Sequence, residues 1–240
     1  MCGRFVSREQ AAIEREYNIR VRQPFERVYN AAPSMELPVI RQPAGSKALG
    51  AAADDDTDGA REAVAMRWGL VPSWWSQPTP PTSTINARSE EAAAKPMWRH
   101  AVRHTRALVP ALGWYEWRAE AGAKQPYFIH AADMAGVCFA GLCSTHRDSA
   151  GTEQHTFAIL TRAASAQLTP VHNRMPVVLA PALFDEWLAP WKSEHSAQLA
   201  AFVARALDDF EYYPVSRYVN TPRNQGEKCL ERAVTGAADR

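Results

Sequence analysis

No run in this chain of 240 residues approaches the roughly 18 consecutive apolar residues that a membrane-spanning helix needs, which excludes such a helix. The N-terminus turns polar by Ser7, so no secretory leader is read there, and a cytoplasmic protein with reduced thiols is expected. Cysteine is scarce. Cys2, Cys138, Cys143 and Cys229 show neither C-x-x-C nor Cys/His zinc spacing, and no metal or cofactor is expected. Cys138 and Cys143 lie an odd number of residues apart in an apolar run, so a strand would point them to opposite faces and keep them from pairing. An excess of one charge is also missing. Lys and Arg total 27, Asp and Glu 26, for a net charge of +1. This excludes a protein that coats nucleic acid by bulk electrostatics, but not one with a local basic cleft. No internal repeat is present.

What is there suits a globular chain: 46% hydrophobic residues and eight Trp, enough for a substantial core. Ser7-Arg8-Glu9-Gln10 reads as a capping box opening a helix to about Tyr17. Strands are expected over 37–41 and 63–68, forming a hairpin around a Gly/Ala/Asp-rich surface loop at 42–62. Short helices are expected over 90–94, with Ser89 as cap and Pro96 as stop, and over 97–102. The second helix leads a basic patch of Arg99, His100, Arg103, His104 and Arg106, read as a solvated face. From residue 105 the period is that of strands, at 105–111, 114–118, 126–131, 137–143 and 155–161. A short helix at 164–169, a strand at 177–179, helices at 181–188 and 193–207, and a strand at 210–215 complete the chain before a basic tail. The class is α+β: one domain, an antiparallel barrel-like β-sheet core and peripheral helices.

The stretch that carries most chemistry is Met1-Cys2-Gly3-Arg4-Phe5. Initiator methionine is removed when the second residue is small. That would leave Cys2 with an α-amine (pKa about 7.7–8.0) and a thiol (about 8.5) on adjacent carbons. Such a 1,2-aminothiol condenses with an aldehyde and closes to a five-membered thiazolidine. Glu116 sits among aromatics in Gly113-Trp114-Tyr115-Glu116-Trp117 and shares a strand face with Trp114; desolvation there suits a general acid/base. His172 lies in a loop between Pro170 and Pro176, a proton shuttle or a plain surface residue. Asn86 can orient a nucleophile or carbonyl, and Arg4, Arg88 and Arg174 can bind phosphates. Trp74 and Trp75, adjacent in a Pro-rich loop, read either as loop packing or as a platform for a base.

Singly these signals are weak; in order they form a set. Met1-Cys2-Gly3-Arg4-Phe5, Tyr29-Asn30-Ala31-Ala32-Pro33, Trp68-Gly69-Leu70-Val71-Pro72-Ser73-Trp74, Asn86-Ala87-Arg88-Ser89-Glu90, Gly113-Trp114-Tyr115-Glu116-Trp117 and His172-Asn173-Arg174-Met175-Pro176 resemble the SOS response-associated peptidase (SRAP) family. The resemblance implies a single domain over 1–240 that acts on abasic sites in single-stranded DNA, without cofactor, as a monomer, and nucleoid-associated when bound. It implies Cys2 as the crosslinking nucleophile, Asn86 as its positioner, Glu116 as acid/base and His172 as proton shuttle. Arg4, Pro33, Trp74, Trp75, Arg88, Thr161 and Arg174 would contact DNA. AP lyase activity is a further implication. Asn173 departs from the pattern, standing where an acidic residue is common. Competing readings are a cysteine peptidase, chiefly autoproteolytic, a non-covalent single-strand binder, and an N-terminal-nucleophile amidohydrolase.

Overall fold

In the computed structural model, residues 2–21, 23–43, 61–77, 83–120, 122–147, 151–191 and 195–233 are described. The strands are β1 (Arg4–Ser7), β2 (Glu36–Arg41), β3 (Glu62–Trp68), β4 (Asn86–Arg88), β5 (Arg106–Glu120), β6 (Ala123–His130), β7 (Val137–Arg147), β8 (Glu153–Ala163), β9 (Arg174–Pro176) and β10 (Glu211–Pro214). The helices are α1 (Gln10–Tyr17), α2 (Ser89–Ala92), α3 (Pro96–His104), α4 (Phe184–Leu188) and α5 (His195–Ala204), with 3-10 turns at Pro181–Leu183, Arg217–Asn220 and Glu227–Leu230.

Five strands close on themselves. β5 pairs with β2, β2 with β3, β3 with β8, β8 with β7, and β7 returns to β5. The expected barrel in one domain is present. Its pairings are antiparallel except β3 with β8, where Arg67 lies opposite Thr156; outside the ring, β4 also runs parallel to β8. Strand alternation sorts the side chains. Leu37, Val39, Met66, Trp68, Val109, Phe139, Phe157 and Ile159 fill the interior. Ile40, Leu108, Ala140, Leu142, Ala158 and Leu160 point outward and are covered by Ile13 and Tyr17 of α1, Trp98 and Val102 of α3, Phe184 and Trp187 of α4, and Phe202 of α5. Strands buried on both faces read as continuous apolar runs, which is why Val137–Cys143 lacks alternation. Cys138 falls in the outer cluster and Cys143 in the inner one, and neither is in a disulfide.

The strands expected at 105–111 and 114–118 are one strand, β5. The alternation breaks because the register of β1 on β5 slips: Val6 lies opposite Gly113, but Ser7 opposite Ala111. Leu112 is the extra residue of a β-bulge, which bends the strand and reverses its facing. Odd-numbered residues face inward before it, and Trp114 and Glu116 face inward after it. There β5 leaves β7 and takes up β6, Gly113 opposite His130. Gly113 is required: a Cβ would lie 2.3 Å from the Ile129 carbonyl and 2.6 Å from the Phe128 ring.

Other expectations need correction. Ser7 belongs to β1 and accepts from the Val28 amide at 2.8 Å, so no capping box forms and Glu9 stands at the N-cap without a side-chain cap bond. Ser89 likewise makes no cap bond, and Pro96 opens α3 as well as ending α2. Residues 164–169 are turns; their bonds close on Ser165 and Leu168 without continuing as a helix. The strand expected at 177–179 lies earlier, at β9, while Val178 makes isolated bridges to Phe139 and Leu207. Arg106 leaves the solvated patch. It is buried, donates to the carbonyls of Val102, Arg103, Trp187 and Ala189, and lies 4.1 Å over the Trp191 ring. In the 42–62 loop, residues 44–60 lie outside the described residues.

Candidate active site

The bulge in β5 places the site. Downstream of it, β1 lies antiparallel to β5 with Arg4 opposite Tyr115 and Phe5 opposite Trp114. Phe5 packs edge-on against Trp68 at 5.1 Å and Phe139 at 5.7 Å, and this anchors the N-terminal strand at the barrel. Cys2 is fully buried in the same cluster. The parallel pairing of β4 with β8 carries Asn86 to it, and Asn86 Nδ2 donates to the Cys2 carbonyl at 2.7 Å.

Glu116, turned inward by the bulge, is 3% exposed. Burial pushes its carboxyl up to about 7, so both protonation states are populated near neutrality. The Cys2 thiol is pushed up by burial and then by the neighbouring Glu116, which keeps it protonated until something takes the proton. His172 follows the 164–171 turns. The Arg174 amide N–H meets its Nδ1 at 2.9 Å, closer than the Arg174 carbonyl at 3.2 Å, which assigns the proton of neutral His172 to Nε2. Nε2 stands 3.9 Å from a Glu116 carboxylate oxygen. Burial holds the His172 pKa below its ordinary value. Glu116 and His172 line a pocket of about 540 Å³ with Gly3, Arg4 and Trp117, and Cys2 lies directly before Gly3. No cluster of His, Cys, Asp and Glu among the described residues could hold a metal.

The buried carboxyl has a cost to the fold. Below about pH 4.5 Glu116 is protonated whether the chain is folded or not. Between 4.5 and about 7 the unfolded chain gives up a proton that the native state keeps, so stability falls as pH rises. Glu116→Gln cannot ionise. Its stability relative to wild type should therefore climb across pH 4.5–7 and level off above, by about 3 kcal/mol in total. Urea denaturation of both proteins at pH 4.5, 6 and 8 measures this; a difference constant with pH refutes it.

The expected DNA-contacting residues are not all at this pocket. Arg88 is exposed on β4 and makes no hydrogen bond or ion pair among the described residues. Arg174 is held bidentate by Glu90 at 2.6 and 3.0 Å and donates to the Thr161 carbonyl at 2.8 Å. Thr161 itself is buried and meets Arg174 from within. Arg4 reaches the pocket, but three of its five N–H donors go to Asn30 Oδ1 (2.9 Å), the Val219 carbonyl (3.1 Å) and the Asn220 carbonyl (3.4 Å). Trp74 is 54% exposed, meets Trp75 edge-on at 5.7 Å, and both border a separate groove of about 890 Å³ shared with His146 and His155. Pro33 is exposed and lines neither.

Four participants were not among the residues the sequence singled out. Glu90 is the clamp on Arg174. Asn30 is buried and donates to the carbonyls of Val219, Thr221 and Asn224 at 3.0–3.1 Å, pinning the C-terminal segment against β1. Asn220 and Lys124 complete the pocket wall. The motif Tyr29-Asn30-Ala31-Ala32-Pro33 pointed at Asn30, but its partners lie about 190 positions away along the chain.

The model of the SOS response associated peptidase (SRAP) family matches residues 1–222. The chain is 31% identical over 242 residues to the abasic site processing protein YedK of Escherichia coli, covering 96% of this chain and 99% of that protein. It is 30% identical over 236 residues to the abasic site processing protein YoqW of Bacillus subtilis, with coverage of 96% and 99%. It is 30% identical to the abasic site processing protein HMCES of Gallus gallus, over 84% of this chain and 65% of that one. A solved structure of a Bacteroides thetaiotaomicron protein shares the fold, with a TM-score of 0.79 at 21% identity, covering 98% and 100%.

Proposed function

The chain belongs to the SRAP family, and from that premise and the setting of Cys2 we propose that it captures abasic sites in single-stranded DNA as a thiazolidine on Cys2, shielding the lesion after DNA damage. The observation that carries this reading is the burial of Cys2 beside Glu116, with its carbonyl held by Asn86 at 2.7 Å. A nucleophile held beside its proton donor turns a bimolecular condensation into a local one.

The balanced reaction is aldehyde plus aminothiol giving thiazolidine plus water. After loss of Met1, the Cys2 amine attacks C1′ of the opened sugar. Protonated Glu116 gives its proton to the departing hydroxyl, water leaves, and an iminium remains. The thiol, kept protonated by burial, then attacks that carbon. Its proton passes to the Glu116 carboxylate, restoring the acid. The open accepting capacity of Asn86 Oδ1, buried and without a hydrogen-bond partner, suits an N–H of the amine or iminium. His172, with Nε2–H toward Glu116, shuttles protons at the sugar.

The peptidase reading is weaker on geometry. In a triad the carboxylate orients His through Nδ1–H. Here Nδ1 accepts a backbone N–H and Nε2 is the atom nearest Glu116. Proteolysis is therefore confined in this proposal to release of residue 1. The test is intact-mass measurement after mixing the protein with an abasic single-stranded oligonucleotide. A covalent sum of protein and DNA, less one water, supports capture; reversible binding alone rejects it.

The two arginines should differ in their salt signature. Arg88→Ala removes an unpaired cation and should lower the slope of log affinity against log salt by about 0.7 for intact single strands. Arg174→Ala should change it less, because Glu90 already neutralises Arg174. Fluorescence anisotropy across a salt titration measures both slopes; equal losses would mean that DNA displaces Glu90.

A further inference from the structure

We propose that Lys124 and Asn220 form a phosphodiester subsite on the wall of the pocket that Glu116 and His172 share. This rests on the reading that the pocket receives a DNA strand.

Both residues line the pocket that Glu116 and His172 share. Lys124 is exposed on β6 and makes no hydrogen bond or ion pair among the described residues. Asn220 is exposed, and its orientation is set. The Trp117 indole N–H, which can only donate, gives its bond to Asn220 Oδ1 at 2.8 Å. The Asn220 amide nitrogen therefore presents two N–H donors that nothing among the described residues accepts. The backbone under Asn220 is fixed as well, because Arg4 donates to its carbonyl and Asn30 holds Val219 and Thr221 on either side. The wall thus offers an exposed ammonium and a pre-oriented carboxamide. Arg4 adds positive charge with most of its donors already spent. Among the described residues Glu116 is the one carboxyl lining the pocket. Point charge beside fixed neutral donors suits one phosphate oxygen pair and carries no base information.

Anisotropy binding of an intact, undamaged single-stranded oligonucleotide across a salt titration tests the subsite without needing the crosslink. Lys124→Gln should lower the log–log slope by about 0.7, which is about fivefold in affinity near 0.1 M salt and nothing near 1 M. Lys124→Arg should restore the slope. Asn220→Asp keeps an acceptor for Trp117 but sets a carboxylate where the donors were, and should weaken binding more than Lys124→Gln. Calorimetric titration with inorganic phosphate separates a strand phosphate from the free ion: tight binding of free phosphate with unchanged DNA slopes overturns the proposal. So do unchanged slopes in Lys124→Gln and Asn220→Asp alone. A wild-type protein that binds strands with these slopes but forms no adduct refutes the capture chemistry and leaves the subsite standing.

Discussion

Cys2→Ala is expected to form no heat-stable adduct with an abasic single-stranded oligonucleotide, while still binding single strands. Alanine keeps the Cβ in the buried cluster and removes only the sulfur, so the fold around Phe5 and Trp114 stays intact. The free α-amine of this variant can still condense with the aldehyde. What it forms is an imine, which water reverses; without a thiol no ring closes over it. Borohydride should therefore trap DNA on Cys2→Ala, whereas heating without reduction should release all of it. Cys2→Ser should behave similarly, since an alcohol is the poorer ring-closing nucleophile. An uncleavable residue ahead of Cys2 should also abolish the adduct, because the amine becomes an amide and the site at Asn86 is matched to the Cys2 carbonyl. Denaturing gels after heating, with and without borohydride, read all three. A heat-stable unreduced adduct from Cys2→Ala refutes the mechanism, and one from the extended protein replaces it with simple thiol attack.

Glu116→Gln or Glu116→Ala is expected to slow adduct formation by about 10²–10⁴-fold, the usual share of a positioned acid/base. The pH profile should be bell-shaped. Its rising limb belongs to the α-amine, which must lose a proton to attack. Its falling limb belongs to Glu116: with a carboxyl pushed up to about 7, the proton donor is present below that pH and is lost above it. The Glu116 variants should keep the rising limb and lose the falling one. They should also alter any strand cleavage beside the lesion. His172 should divide from Glu116 in the reverse direction. Its pKa lies below the ordinary value, so it is neutral near pH 7 and becomes a strong donor only toward acid. Opening the thiazolidine needs a proton as the carbon–sulfur bond breaks. His172→Ala should therefore slow formation less than release, and the difference in release should widen toward pH 5.5. A chase with excess competing abasic oligonucleotide, from pH 5.5 to 8.5, measures it. Release at the wild-type rate at every pH makes His172 structural.

Local signals in the sequence went a long way for elements that depend on neighbours in the chain. The hairpin of β2 and β3 pairs as the hydrophobic period implies. Trp114 and Glu116 do share a face opposite Tyr115, since alternation is set by the backbone and not by its partners. The same period misread β5 as two strands, because a bulge and a break look alike in alternation. Pro181 at the first turn correctly opens the segment that becomes α4.

By itself the sequence determined the chemistry on offer: an aminothiol on the small second residue, a carboxyl among tryptophans, a histidine between prolines, and the ordered motifs that mark the family. It also determined that strands dominate the chain. Only the tertiary structure decided how those groups meet. The facing of Glu116 depends on Leu112 slipping out of register, and its raised pKa depends on burial that no stretch of residues contains. Which arginines are free depends on Glu90, Asn30 and the C-terminal segment, each of which is far along the chain from a partner it meets. Periodicity and capping act over a few residues, so a sequence displays them. Desolvation and hydrogen-bond partners are set by what packs nearby in space, and β5 gathers residues from both ends of the chain around one carboxyl.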